Sequence, residues 1–149
     1  MEAQARKITD VAKIRQFIMA GKAKLTFRSV ESGNRFTYEI VSPKGKRGDD
    51  KSPRFVRVLS GSNNESDFTY LGTLFPDGNY QHGQKSPFSK GVQSELAFQW
   101  ALKHIAKGTL PANLEVWHEG CCGRCGRTLT VPESIESGYG PECVNLVRR

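Results

Sequence analysis

Lys24-Leu-Thr-Phe-Arg-Ser-Val30, Glu31-Ser-Gly-Asn34 and Arg35-Phe-Thr-Tyr-Glu-Ile-Val41 decide how the chain folds. The outer two segments alternate apolar and polar residues and favour β-branched and aromatic types, as half-buried strands do. The middle segment holds Gly and Asn where the chain must reverse. Together they predict a β-hairpin. Leu25, Phe27, Phe36 and Tyr38 or Ile40 must share out its buried and exposed faces, and alternation alone leaves the register open.

The flanking segments extend the same pattern. Arg54-Phe-Val-Arg-Val-Leu59 reads as a third strand and Phe68-Thr-Tyr-Leu-Gly-Thr-Leu-Phe75 as a fourth. After the turn Pro76-Asp-Gly-Asn79, Tyr80-Gln-His82 is a short fifth. Short links between neighbouring strands imply an antiparallel sheet or meander. Ahead of the hairpin, Asp10 caps a helix in which Val11, Ile14, Phe17 and Ile18 recur at helical spacing and Gly21 stops the run. Behind the strands, Ser94 to Ala106 is the longest helical pattern, with Ser94 as its cap and Gly108 as its stop. Phe98, Trp100, Leu102 and Ile105 give it an apolar surface to lay on the sheet, with Phe98 and Trp100 in the core. Leu110 to His118 links this helix to a short strand that delivers His118 to the cysteines. The expected fold is α+β: an antiparallel sheet of four or five strands packed by one long and one short helix, with a C-terminal zinc knuckle. The expected division is a flexible N-terminus over 1–9, a helix-covered sheet domain over 10–117 and a zinc-knuckle tail over 118–149 packed on it.

At 149 residues the chain suits one domain with a real core. No secretory signal is visible, and Phe17-Ile-Met-Ala20 is far too short to span a membrane. All four cysteines lie at or after residue 121 and three fall between Cys121 and Cys125. A disulfide framework would spread them more widely, so thiolate ligands in a reducing cytoplasm fit better. The net charge of +7 is uneven. Residues 1–60 carry 14 Lys/Arg against 6 Asp/Glu, and residues 61–149 carry 8 against 9. A basic front half suits a nucleic-acid partner. The candidate contacts are Arg28, Arg35, Arg54 and Arg57 along one side of the sheet, Lys44, Lys46 and Arg47 in the loop Pro43–Pro53, and Arg124 beside the cysteines. Basic and aromatic residues interleave on those strands, which is how sheets hold single strands, by phosphate contact and base stacking.

Zinc takes four soft or borderline ligands in a tetrahedron. Cys122-Gly-Arg-Cys125 is a Cys-x2-Cys pair with glycines that let the backbone turn, and Cys143 returns after 17 intervening residues. His118 is the expected fourth ligand, with Cys121 as its rival. The expected cofactor is therefore Zn2+ on His118, Cys122, Cys125 and Cys143. A redox dithiol would leave Cys143 without a role and lacks its usual βαβ setting. The deaminase His-x-Glu and the zincin His-Glu-x2-His are both absent, so a structural ion is expected and no catalytic residue is assigned.

The segment Cys122 to Cys143 resembles a family of uncharacterised zinc-knuckle proteins common in bacteriophages and prophages. The resemblance is carried by Cys122, Cys125, Leu129, Pro132, Ser134, Ile135, Gly138, Gly140, Pro141 and Cys143. Trp117-His118-Glu-Gly120 is similar to the lead-in of longer members, and Ala20-Gly-Lys-Ala-Lys-Leu-Thr-Phe and Arg35-Phe-Thr-Tyr to their front half. It implies a zinc site, a phage or prophage origin, the host-cell cytoplasm, and, because members often carry another residue at Cys121, His118 as the fourth ligand. The function expected is a non-catalytic, zinc-containing accessory protein that binds nucleic acid or a host nucleic-acid-associated complex. The alternative is a protein-only inhibitor or adaptor of a host protein, such as a defence protein. A zinc-dependent hydrolase ranks last, for want of a general base in a recognisable setting.

Overall fold

The computed structural model describes residues 6–43, 52–61, 67–124, 126, 129 and 137–140. Its strands, in chain order, are β1 (Lys7–Ile8), β2 (Lys22–Ser29), β3 (Arg35–Val41), β4 (Arg54–Leu59), β5 (Phe68–Leu74), β6 (Tyr80–His82) and β7 (Leu114–His118). Two helices, α1 (Val11–Ile18) and α2 (Gln93–Ala106), complete the described elements. The hairpin forms as read from its sequence: Leu25 faces Tyr38 and Phe27 faces Phe36, and Gly33 takes the left-handed conformation (φ 77°) that the reversal requires.

The expected four or five strands are corrected to seven in one antiparallel sheet, ordered β1-β7-β2-β3-β4-β5-β6. The meander β2 to β6 is the local part. The additions come from the chain ends. Lys7 and Ile8, placed by the sequence reading in a flexible terminus, pair with Trp117 and Val116. β7 then slots between β1 and β2, opposite Leu25 to Ser29. A two-residue strand carries no periodicity, and nothing local in β7 says that its partner lies some ninety residues earlier.

Both helices lie on one face. Ala23, Leu25, Phe27, Tyr38, Ile40, Val56, Val58, Leu114 and Val116 point at Ile14, Phe17 and Ile18 of α1 and at Phe98, Ala101 and Ile105 of α2. Phe98 sits 4.8 Å from the Tyr38 ring and 5.9 Å from the Phe27 ring, centroid to centroid. Asp10 caps α1 as expected, accepting the Ala12 amide at 2.9 Å. α2 starts differently. Its N-cap is Val92, without a side-chain cap, and Glu95 reaches back to accept the Gly91 amide at 2.8 Å, one residue ahead of the amide that a capping box would use. Ser94 instead uses its carbonyl, which accepts the Tyr38 hydroxyl at 2.6 Å. Trp100 is corrected out of the core: it is 37% exposed and Leu96 is 56% exposed. The stripe Phe98–Ala101–Ile105 faces the sheet, and Leu96 and Trp100 lie on the neighbouring stripe one turn apart.

The described part of the tail packs on α1 and the start of β2. Lys22 N–H donates to Gly123 O and Gly123 N–H to Gly138 O, both at 2.9 Å. Phe17 packs against His118 and Tyr139, and Cys122 is fully buried. A zinc knuckle standing as its own unit is unsupported. Among the described residues no three or more His, Cys, Asp or Glu side chains gather as they would around an ion, and Cys125 and Cys143 lie outside the described residues. No described helix is long and apolar enough to cross a membrane.

Candidate nucleic-acid interface on the open sheet face

The face of the sheet away from the helices is decided by strand parity. Lys22, Lys24, Thr26 and Arg28 of β2 pair with Val41, Glu39, Thr37 and Arg35 of β3. Glu39 and Val41 pair in turn with Arg57 and Phe55 of β4, and these with Tyr70 and Thr73 of β5. On the other side, Thr26 meets Trp117 and Arg28 meets Glu115, and Trp117 meets Lys7 of β1. Along the strands, six cations thus share this surface with two carboxylates and with Trp117, Phe55, Phe68 and Tyr70.

The surface is concave. The Lys24 ammonium lies 5.2 Å from the centre of the Phe68 ring, although β2 and β5 are three strands apart. Three steps of a flat sheet span about 14 Å, and side chains standing perpendicular to a flat sheet would keep roughly that separation. The sheet therefore curls toward this side, as the bulge between Val56 and Arg57 encourages. Two hollows result. One, of about 770 Å³, is lined by Thr26, Arg28, Arg35, Thr37, Glu115, Trp117 and Glu119 among others. The other, of about 490 Å³, has walls from Phe55, Tyr70, Thr73, Gln81 and Lys85.

Charge in the larger hollow is partly compensated. Glu115 accepts Arg28 at 2.8 Å and Lys7 at 3.1 Å, and the Trp117 indole N–H at 3.4 Å. Arg28 first, then Lys7, hold its carboxyl below the ordinary range against the opposing effect of burial. Arg35 faces Arg28 directly across the ladder and, among the described residues, makes no ion pair. Two facing guanidiniums, of which only Arg28 is paired with a carboxylate, leave a net positive charge at that point.

Of the sequence-expected contacts, Arg28, Arg35 and Arg57 share the open face, Arg57 within 3.5 Å of Glu39. Arg54 is corrected. It lies an odd number of residues from Arg57, so it points the other way, is 1% exposed, and donates to Ser52 O at 2.8 Å and Met19 O at 2.9 Å. It is a scaffold residue. Arg124 is half-buried in the tail. Lys44, Lys46 and Arg47 lie outside the described residues. Lys7, Lys24, Thr26, Thr37, Glu115, Trp117 and Glu119 were missed as site residues. For Glu115 and Trp117 the one local signal was alternation in Leu114–His118, and it had no partner strand to anchor it.

Of the expected metal ligands, His118 and Cys122 are described and buried, and Cys125 and Cys143 are not described. His118 Nδ1 accepts the Gly120 amide at 3.0 Å. That bond occupies the Nδ1 lone pair, so neutral His118 carries its proton on Nε2. Coordination through either nitrogen would require giving up or inverting this arrangement. The thiol of Cys122 and the imidazole of His118 are both zinc-ligand types by chemistry.

A second polar cluster joins α2 to β6. Glu95 Oε2 accepts the Tyr80 hydroxyl at 2.6 Å and the His82 Nδ1–H at 2.7 Å. Burial alone would raise the Glu95 carboxyl. The Gly91 amide, the Tyr80 hydroxyl and the His82 ring together outweigh it and hold the carboxyl below its usual range.

No curated protein and no solved structure matches the chain. Residues 112–148, which run from just before β7 through the cysteines, match a family of unknown function, DUF6011.

Proposed function

We propose that this chain is a non-catalytic accessory protein whose concave sheet face binds single-stranded nucleic acid, by itself or within a host nucleic-acid-associated complex. The observation that carries the reading is the joint placement of Trp117, Phe55, Phe68 and Tyr70 with Lys7, Lys24, Arg28, Arg35 and Arg57 on the face opposite the two described helices. Aromatic faces offer stacking to any base, and the cations follow the backbone. The concavity admits one strand more readily than a rigid duplex. Fluorescence titration with labelled single-stranded and duplex oligonucleotides tests it. Single strands should bind more tightly, with affinity falling steeply as salt rises. Absence of binding at low salt would overturn the reading.

The proposal includes Zn2+ held by Cys122, Cys125 and Cys143 and, in line with the resemblance, a phage-type origin in which the protein acts in the host cytoplasm. For the fourth donor, the Gly120 bond to His118 favours Cys121. Metal analysis separates the two. Zinc near one per chain should be lost in Cys122→Ser and in Cys121→Ser, and kept in His118→Ala. The ion supplies no chemistry in this reading, and its role is to hold the tail against α1.

A second reading, a protein-only inhibitor or adaptor of a host protein, is favoured by a different observation. Leu96 and Trp100 are exposed beside the half-buried Phe36, around a hollow of about 280 Å³ between α2 and the β2–β3 hairpin. It predicts a host-protein complex that survives nuclease and is lost in Trp100→Ala.

A further inference from the structure

We infer that the hollow beside Trp117 is a base pocket that selects guanine. The inference rests on the single-strand reading of the open face and adds what that reading leaves open, namely which base is held there. Trp117 lies on the sheet floor with its indole N–H turned to Glu115 and the Lys7 ammonium 5.9 Å from its ring centre. The half-buried ring lines the hollow and is the surface on which a base would stack.

Glu119 stands directly after β7 at the wall of the same hollow. Its Oε2 accepts the Thr26 hydroxyl at 2.9 Å. The Thr26 and Thr37 hydroxyl oxygens lie 2.7 Å apart. A hydroxyl has one proton to give, so Thr26 gives its own to Glu119 and accepts that of Thr37. This relay orients the carboxylate. No described residue donates to its other oxygen, Oε1.

A carboxylate is a liability in a surface for a polyanion unless the ligand brings donors to it. The bases differ in what they bring. Guanine offers two adjacent donors, N1–H and N2–H, on its Watson–Crick edge, matching the two oxygens of a carboxylate. Adenine and cytosine each offer one donor beside a lone pair. Uracil and thymine set their single N–H between two carbonyls, which the carboxylate repels. Arg35, exposed and without an ion pair among the described residues, is placed to take the phosphate of the same nucleotide.

The test uses the full chain and an oligothymidylate in which one central thymine is replaced by guanine, inosine, adenine or cytosine. Stacking is read from tryptophan quenching in a Trp100→Phe background, where Trp117 is the sole indole. One guanine should tighten binding about tenfold over thymine, and inosine, lacking the N2 amino group, should recover only part of that gain. In Glu119→Gln the guanine advantage should disappear and the all-thymine strand should bind more tightly, because the amide donates to thymine carbonyls. Equal affinity for the guanine and thymine strands, with binding intact, would overturn base selection and leave the single-strand reading standing. Failure of every strand to bind at low salt would overturn both.

Discussion

Glu95 is buried at the start of α2, and three donors converge on its carboxylate: the Gly91 amide, the Tyr80 hydroxyl and the His82 imidazole. Such a group is costly to bury unless every lone pair is engaged. Its engagement ties helix to edge strand. Truncation by Glu95→Ala should cost about 3 kcal/mol, because three buried donors lose their acceptor. The sign of the pH effect follows from the depressed folded-state value. The stabilisation is present above the ordinary glutamate value of about 4.3 and is lost as pH falls through the lower folded value. Urea unfolding between pH 3 and 6 should show that loss in the parent chain and a flatter profile in Glu95→Gln. Gly72 is fixed by a neighbouring constraint: a Cβ there would collide with the Tyr80 hydroxyl and the Gln81 carbonyl, which hold β6 against β5.

Among the elements, α1 packs its Phe17 against the described part of the tail. Phe17 contacts the rings of His118 and Tyr139, and added carbons at Gly123 or Gly138 would run into it. Phe17→Ala should cost about 3 to 5 kcal/mol, and hydrogen exchange should rise first at Gly123 and Tyr139. α2 makes the opposite case on its outer stripe. Trp100→Ala and Leu96→Ser should each change stability by no more than about 0.5 kcal/mol, as surface substitutions do. A larger loss in chemical denaturation would place these side chains in the core after all.

For the whole molecule, the interior position of β7 matters most. A chain ending at residue 113 would leave one edge of β2 unpaired, with only β3 beside it, and remove Leu114 and Val116 from the core. It should fail to give a cooperative thermal transition by circular dichroism. Closure of β7 on β2 joins residues some ninety positions apart, so refolding of the full chain should fall in the millisecond-to-second range of high-contact-order folds. The net charge of +7 acts at the same scale. Arg35→Ala should reduce the slope of log affinity against log salt by about one.

What the sequence determined by itself was the local half of this structure. Alternation over residues 24–41 and 54–75, helical spacing at Val11–Ile18 and across Phe98–Ile105, and Gly or Asn at the reversals specify strands, helices and turns through neighbours in the chain. Interleaved cations and aromatics on the strands were equally legible. The tertiary structure decided the rest, because each remaining question is about a partner distant in sequence. Pairing of Lys7–Ile8 and Leu114–His118 raised the strand count to seven and brought Trp117 and Glu119 beside Arg28 and Arg35. Register sent Arg54 inward and Arg57 outward, since successive side chains of a strand point to opposite faces. Packing direction turned Trp100 outward and Phe98 inward on one helix. Periodicity tells which residues share a face, and only the completed sheet tells which face is covered.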